Sequence, residues 1–516
     1  MPRGRAAAAM LPASAALTKA SIALKRSILK FSLMLSWDSH RLSQVTLWIK
    51  GNQRALKGEP MSNKSTFATP ALAAACLGFV VVSLDATVAN VALEDLRLAL
   101  AANLSTLEWV LNAYTVAFAG LLLSAGAVTD MVGARRCYLA GTTIFLAASV
   151  YCGLTGTAMG LICARALQGA GAAAIVTASL ALIAAGFPDR GPRSRAVAIW
   201  AMCGGSAMAA GPLIGGALLE LAGWRAIFLI NVPVLLTAMH LCRLTRSAPP
   251  RKARAFNPLG QSVAIVALAS LTLALVEAGQ RSFTSPTVLG SLAVAAGCLA
   301  MFVVTEKRRT DPMLPPALFA SARFTACCLA GFALNYGFYG MLFALSLRFR
   351  VLGFGAFETG LALLPLTLCL SGANLIGGTM VGRYGARIPI LCGLSLACLG
   401  YVGLAAGIGI GGYAWLVPGM FTVGAGSAIA VTALSAEALS VVESALAGIA
   451  GGTLTTARQV GGAFGVACYG ILLGGKDGIE STGGLQLAFL TATIVVLAAL
   501  VLGAKALRAN IEAEAC

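Results

Sequence analysis

The chain has 516 residues, of which 58% are hydrophobic and only 11% are charged, and its mean hydropathy is +0.86. Soluble domains carry a charge on roughly 25% of their residues, so this composition excludes a water-soluble globular protein. The net charge of +18 by itself suits nucleic-acid binding, but such proteins gather Lys and Arg on one solvated face. Here the cations lie in short loops between apolar segments and in an N-terminal tail, which indicates orientation in a membrane.

Residues 1–60 form a basic extension that differs from the rest of the chain. They contain ten Lys or Arg and two acidic residues, and no apolar run long enough to span a membrane. The apolar stretch 6–18 is too short and too weakly apolar for a signal peptide. Because the sequence from Met61 leads directly into the first long apolar segment, we interpret 1–60 as a disordered extension or a mis-assigned start.

Fourteen later segments are long and apolar enough to cross a membrane, which takes about 20 residues of helix. The predicted spans are 70–92, 107–128, 138–156, 159–186, 196–219, 225–244, 258–277, 287–305, 324–347, 357–380, 388–410, 413–435, 447–474 and 485–506.

Lys and Arg are concentrated in alternate loops between these segments. Since cations in short loops mark the cytoplasmic side of a membrane, this bias predicts that both termini are cytoplasmic. The loops predicted to be cytoplasmic carry Arg135 and Arg136; Arg190, Arg193 and Arg195; Arg246, Arg251, Lys252 and Arg254; Lys307, Arg308 and Arg309; and Arg383 and Arg387.

The sequence contains an internal repeat. Residues 126–141, a basic turn between two apolar segments, recur 252 positions later as 378–393, and a Gly-Ala-Gly motif at 169–171 recurs at 424–426. Paired halves around a central site are typical of transporters. The repeat assigns six helices to each half and leaves two additional helices between them.

This arrangement predicts how the chain divides. The expected parts are an N-terminal six-helix bundle at 66–245, two linking helices at 246–310, a C-terminal six-helix bundle at 311–508 and a tail at 509–516.

Asp85 and Arg165 are two charged residues in the interior of apolar segments. Asp85 is in the first and Arg165 in the fourth; a charge at the centre of a spanning helix costs about 2.5–3.5 kcal/mol, so it persists chiefly for function. We predict that Asp85 binds a proton or a substrate charge and that Arg165 stabilises its ionised form. The alternatives are a purely structural hydrogen bond for Asp85, and bonds from Arg165 to carbonyl groups of the first helix.

The basic turn after the second segment has the features of a conformational switch. Glycines allow a tight turn, and a carboxylate near a helix end can exchange partners with cations of neighbouring helices. Gly382 replaces Asp130 in the second copy of the turn, so the switch is expected in the first half. The alternative is a solvated loop whose charges only orient the chain. The predicted switch residues are Gly126, Asp130, Gly133, Arg135 and Arg136.

The fifth segment contains small residues and a proline at Gly211, Pro212, Gly215 and Gly216. Small residues four apart let helices approach closely, and a proline within a helix bends it. We predict that this segment seals the contact between two conformations, although close helix packing alone explains the glycines.

With these motifs the chain resembles the major facilitator superfamily, specifically its fourteen-helix drug:proton antiporter subfamily. The resemblance implies an all-α integral membrane protein of the plasma (inner) membrane, built of two six-helix bundles plus two linking helices. The motif of the fifth helix is associated with antiporters, which implies export. The resemblance extends over about 66–508, and its motifs are the turn at 126–136, the segment around Asp85, Arg165 with Gln168, and the fifth-helix motif at 211–216.

Together these features predict a proton-coupled exporter of hydrophobic drugs or toxic small molecules that works by alternating access. The sequence has no nucleotide-binding loop and no cluster of His, Asp or Cys, so we expect no enzyme activity, no metal site and no cofactor, with the proton gradient as energy source. The expected partners are the solute, protons and the lipid bilayer, not nucleic acid. The alternatives are a dedicated exporter of one metabolite, antibiotic or amino acid, and a membrane sensor or receptor, for which no signalling domain is visible.

Polar residues on apolar walls are typical of a ligand cavity. The candidates are Asn112, Tyr114, Gln168, Asn335, Tyr336 and Tyr339. Apart from Asp85, the acids of the later segments are expected near helix ends, at Glu108, Glu220, Glu277, Glu306, Glu437 and Glu443. With few carboxylates inside the membrane, a neutral or anionic solute is as well suited to the chain as a lipophilic cation.

Overall fold

The computed structural model describes residues 65–245, 257–281, 284–309, 314, 317–442, 446–473 and 482–514. Within these ranges the chain forms helices and no strands, which confirms the all-α prediction. The basic extension 1–60 and the interpretation of Met61 as the working start lie outside the described residues. The helices from Phe67 onward pack together as one compact unit.

The first half and the two linking helices comprise ten helices. They are α1 Ser65–Val91, α2 Leu93–Ala99, α3 Leu104–Val132, α4 Ala134–Leu154, α5 Ala158–Gly186, α6 Arg190–Ala222, α7 Ala226–Leu229, α8 Asn231–Arg243, α9 Pro258–Gln280 and α10 Pro286–Lys307.

The rest of the described chain adds eight helices and one 3-10 turn at Tyr413–Trp415. The helices are α11 Ala317–Ala320, α12 Ala322–Val351, α13 Ala356–Ala362, α14 Leu364–Tyr384, α15 Arg387–Ile410, α16 Val417–Ser440, α17 Ala447–Leu473 and α18 Thr482–Glu514.

By length and composition, the described residues form 12 helices that are able to cross a membrane, or 13 if the two parts of α3, which meet at 54°, count as one span. The predicted number of fourteen is therefore not fully confirmed. The helix that falls short is α17, where Arg458 and Gln459 follow a run of threonines. It packs between α12 and α3, so its polar side chains need not face lipid.

The two turns of the sequence repeat adopt the same backbone geometry. Gly133 joins α3 to α4 at a φ of 94°, and Gly385 joins α14 to α15 at a φ of 72°; side chains other than glycine rarely adopt this left-handed region. We refer to this side of the bundle as the Gly133 end. At the opposite side, the Asp95 end, Arg350 at the end of α12 contacts Asp95 of α2 at 2.9 Å.

The repeat also extends to the contacts between helices. A Cβ on Gly171 of α5 would lie 2.8 Å from the carbonyl oxygen of Gly141 on α4. In the second half, a Cβ on Gly426 of α16 would lie 2.6 Å from the carbonyl oxygen of Gly393 on α15. The two helix pairs thus cross at glycines that correspond in the sequence repeat.

Two further helix pairs also cross at glycines that correspond in the two halves. Gly211 and Gly215 of α6 face α1, and Gly461 and Gly465 of α17 face α12. A Cβ at any of the four would press on the facing helix. The small residues of the fifth predicted segment therefore permit a close approach of helices, and the second half has its own copy.

The linking helix α9 touches both halves. Gln261 bonds with the Gly120 carbonyl and with the Ser124 hydroxyl of α3. Near its other end, a Cβ on Gly279 would lie 3.1 Å from the Cα of Ile471 on α17. The division of the chain into two bundles and two linking helices stays a prediction.

Candidate functional site

Asp85 of α1 and Arg165 of α5 form an ion pair in the interior of the first half. The exposed fraction of Asp85 is 0% and that of Arg165 is 1%. Removing a single charge from water costs several kcal/mol, so these two charges persist there because each neutralises the other. The sequence identified both residues, and the structure shows that they are in direct contact.

Neutral side chains complete the surroundings of Asp85. Gln168 donates from Nε2 to Asp85 Oδ1 at 3.4 Å, and Asn231 of α8 donates to the same oxygen at 3.1 Å. Both amides also donate to the hydroxyl of Ser149, at 2.8 and 3.4 Å. Sequence reasoning did not single out Asn231 or Ser149, although an asparagine within an apolar segment was an available signal.

The guanidinium of Arg165 is held by more than the carboxylate. Its Nε donates to the Val110 carbonyl of α3 at 3.1 Å, so the backbone bond of the alternative interpretation exists, but to the second predicted span and not the first. The ring of Tyr114 lies 4.4 Å from Arg165 Cζ, and that of Phe228 lies 5.9 Å away. Arg165 is therefore bonded or stacked on several sides at once.

A cavity of about 1510 Å³ lies between the two halves. It is lined by α1, α3, α5 and α6 from the first half and by α12, α14, α16 and α17 from the second. At the Gly133 end it is lined by Asp130 and Leu439, both of which are exposed, so the cavity is open there. Small-molecule sites usually measure roughly 300–1,000 Å³, so this one admits a large solute.

The halves meet at the Asp95 end through the residues of the predicted antiporter motif. A Cβ on Gly216 would lie 2.9 Å from the Cα of Phe357 on α13. A Cβ on Gly360, also on α13, would press on the carbonyl of Pro212. The fifth-helix motif thus contacts α1 with one set of glycines and the second half with another.

The six predicted cavity residues divide into two groups. Those that line the cavity are Tyr114, Asn335 and Tyr339. Those that lie behind its wall are Asn112, Gln168 and Tyr336. Tyr114 lines the cavity and also stacks on Arg165, so a single ring separates the ion pair from the cavity.

The predicted switch residues lie at the mouth of the cavity. Gly126 and Asp130 line it, and Arg136 is exposed. Arg135 donates from Nη2 to the Arg243 carbonyl at 2.8 Å, which ties the turn to the end of α8. Among the described residues, no cation lies within ion-pair distance of Asp130, so exchange of partners by this carboxylate stays a prediction.

Two of the acids predicted near helix ends do lie near the end of a helix, Glu108 in α3 and Glu306 in α10, and both are buried. Glu108 is 2% exposed and Glu306 is 3% exposed. Glu306 accepts a hydrogen bond from Asn257 at 2.8 Å, whereas Glu108 Oε2 has no hydrogen-bond partner in the described part of the chain. Glu108 is buried because Gly470 of α17 leaves room for its side chain.

Within the described residues, no three His, Cys, Asp or Glu side chains are arranged to hold a metal ion. The expectation that no metal or cofactor is needed stays a prediction.

The family model of the Major Facilitator Superfamily matches residues 75–466. The chain belongs to this superfamily. The resemblance inferred from the motifs is confirmed, and the chain is a multi-pass membrane transporter and not an enzyme.

Several relatives within the Major Facilitator Superfamily are named for drug resistance. The multidrug resistance protein Stp of Mycobacterium tuberculosis is 35% identical over 406 residues, 78% of this chain and 75% of that protein. The tetracenomycin C resistance and export protein of Streptomyces glaucescens is 32% identical over 417 residues, 79% of this chain and 76% of that protein.

Among solved structures, a D-xylose-proton symporter resembles this chain with a TM-score of 0.62 at 14% sequence identity. The match covers 84% of this chain and 97% of the symporter. At this identity the likeness concerns the fold alone, which is that of a major facilitator transporter.

Proposed function

We propose that the protein is a proton-coupled exporter of hydrophobic drugs or toxic small molecules, working as a substrate:proton antiporter. The observation that carries the proposal is the buried Asp85–Arg165 pair, one side chain away from a cavity that lies between the halves. The names of the relatives support drugs as the solute class. A relative named for a single compound supports the second candidate, a dedicated exporter of one antibiotic or metabolite.

The geometry suggests how a proton and a solute would exclude one another. In this conformation Asp85 is bonded to Arg165 and the cavity is open at the Gly133 end, as expected after a proton has left and before a solute binds. Rocking of the halves would close this end and open the Asp95 end. A proton taken up by Asp85 there would weaken its bond to Arg165, favour solute release and promote the return.

The protein is proposed to lie in the plasma membrane with both termini in the cytoplasm. The described turns at the Gly133 end carry Arg135, Arg136 and Arg387, in agreement with the positive-inside rule. The open cavity would then face the cytoplasm, where an exporter collects its solute. Energy would come from the proton gradient without a cofactor.

Transport in inverted membrane vesicles tests the proposal. A panel of hydrophobic cations, neutral compounds and anions should include solutes whose uptake requires the protein and is abolished by an uncoupler. The variant Asp85→Asn should lower this uptake to the background of vesicles without the protein, because an amide cannot carry the proton.

The matched control is Glu94→Gln, which removes an acid that pairs with Arg97 at the surface of α2. Its uptake should equal that of the unmodified protein, and both variants should be present in the membrane at equal amounts. Uncoupler-sensitive uptake that persists in Asp85→Asn would refute the coupling role.

A further inference from the structure

Arg458 of α17 presents a guanidinium to the central cavity without a compensating group. The residue lines the cavity, and its Nε is buried with no hydrogen-bond partner. Within the described chain, no carboxylate lies within 4.0 Å of it. The guanidinium of Arg165, which is also buried in the bundle, is by contrast bonded to a carboxylate, an amide and a backbone carbonyl.

The lack of a partner within the described ranges makes the buried charge of Arg458 energetically costly. A guanidinium keeps its charge at any relevant pH, and a charge held away from bulk water is costly unless an opposite charge or an acceptor accompanies it. The cavity walls are largely apolar, and no acceptor among the described residues bonds to Arg458 Nε. A solute with an acceptor group would satisfy Arg458 directly.

The position of Arg458 is fixed by its packing on α12. A Cβ on Gly331 would lie 2.9 Å from Arg458 Cγ, so the aliphatic stem lies across this glycine. Asn335 and Tyr339, on the following turns of α12, line the same cavity and can also donate hydrogen bonds. Phe338 adds an aromatic wall, so a cation, two polar donors and an apolar surface share one region.

The other charges of the bundle do not cancel that of Arg458. Among the described residues that line the cavity, the remaining charged one is Asp130, at the exposed mouth. Asp130 and Arg458 lie at different levels of the bundle. Thr456, two residues before Arg458 on α17, lies opposite Ala119 of α3, with 3.5 Å between its hydroxyl and the Ala119 carbonyl. Asp130 lies about three helical turns further along α3. Asp85 is already paired and does not line the cavity.

The internal repeat allows Arg458 to be compared with the equivalent residue of the first half. Gly461 and Gly465 of α17 correspond to Gly211 and Gly215 of α6, so the position of Arg458 corresponds to that of Met208. Met208 lines the cavity as well. One half thus presents an apolar side chain and the other a cation at equivalent places.

We propose that Arg458 is a specificity-determining residue that selects hydrophobic solutes carrying an anionic group, such as aromatic carboxylates. The carboxylate would bind the guanidinium, and the apolar part would lie against the aromatic wall. The inference rests on the proposed export function for the identity of the cavity as the solute site, but binding can be measured without any gradient.

The test compares three probes of one shape: 1-naphthoate, its neutral amide and the cation 1-naphthylmethylammonium. Binding to the full-length protein in lipid nanodiscs is measured by equilibrium dialysis at fixed salt. The unmodified protein should bind naphthoate most tightly. Arg458→Met, which copies the equivalent residue of the other half, should weaken naphthoate binding about tenfold or more and leave binding of the amide unchanged.

Unchanged binding of the amide shows that the variant is folded, and Arg458→Lys should recover part of the affinity for naphthoate. Equal affinity of naphthoate for the unmodified protein and Arg458→Met would overturn the inference, as would absence of naphthoate binding to the unmodified protein. Anion-selective binding without any gradient-driven export would refute the proposed function and leave the inference standing. Export that prefers cations and is unchanged in Arg458→Met would support the proposed function and overturn the inference about Arg458.

Discussion

Asp85 accepts hydrogen bonds from donors on two helices. Arg165 and Gln168 approach it from α5, and Asn231 approaches from α8. Each donor is itself held by a further bond, so the carboxylate is surrounded by side chains with little freedom to move. A buried ion pair of this kind makes each member depend on the other.

This dependence gives a prediction for stability. Arg165→Met leaves an uncompensated buried carboxylate and should lower the free energy of unfolding by about 3–5 kcal/mol. Asp85→Asn introduced into Arg165→Met should restore much of this loss, because it removes the remaining charge. Thermal unfolding in detergent measures both, and strictly additive effects of the two substitutions would contradict the prediction.

Around Asp85, the sequence predicted the charged residues of the site more completely than their neutral hydrogen-bond partners. Asp85 and Arg165 stand out because a charge within an apolar segment is rare. Asn231 and Ser149 stand out less, since uncharged polar residues are more common in spanning helices than charged ones. The burial of Glu108 depends on Gly470, more than 300 residues away in the chain, and no local pattern reveals that contact.

Pairs of helices cross at equivalent glycines in both halves. At these crossings the facing backbone takes the place of a side chain, as Gly171 against Gly141 and Gly426 against Gly393 illustrate. Close contact of this kind is a main source of association between helices in a membrane, where burial from water does not contribute.

Enlarging such a glycine should therefore destabilise the bundle. Gly171→Val places methyl groups against α4 and should cost about 1–3 kcal/mol, because neither backbone can retreat without disturbing other contacts. Gly290→Val on α10 is the matched control, since a Cβ there meets nothing within 4 Å. Thermal unfolding in detergent should separate the two variants, and equal midpoints would contradict the packing argument.

Helix positions were largely predictable, whereas interruptions were not. The predicted span 258–277 corresponds to Pro258–Gln280, but the predicted span 357–380 is divided into α13 and α14 at Leu363. Pro365 in the first turn of α14 explains the division, because proline has no amide hydrogen for the preceding turn. The helix α2 was missed because seven residues with three charges do not resemble a span.

The helix bundle formed by the described residues from Phe67 onward is closed at the Asp95 end and open at the Gly133 end. The Asp95 end is kept closed by the contacts of α13 with α6 and by the Asp95–Arg350 ion pair. Both members of the pair are partly exposed, so their interaction is weak and can be broken during a transport cycle.

Reversing one charge of this pair should loosen the closed end. Asp95→Arg faces Arg350 with a like charge, which should raise the rate of amide hydrogen exchange in α13 about two- to fivefold. Arg350→Asp introduced into Asp95→Arg should restore the original rate, because the attraction returns with its members exchanged. Hydrogen exchange with mass spectrometry measures this, with α10 as internal control; no recovery in the double variant would contradict the role of the pair.

The paired halves were visible in the sequence because the repeat keeps its glycines. Which end is open was not, since one sequence encodes both conformations of a transporter and the difference between them is small. Likewise, Arg458 falls within the predicted span 447–474, but the cavity that it lines is visible only in the structure.

The one-sided opening has a consequence for inhibition. A rigid molecule that fills the cavity and extends past Asp130 and Leu439 would keep the halves apart at the Gly133 end and prevent its closure. Its potency would depend on its length beyond the mouth more than on its resemblance to a solute. Such a compound would hold the protein in one conformation instead of competing with the solute for its site.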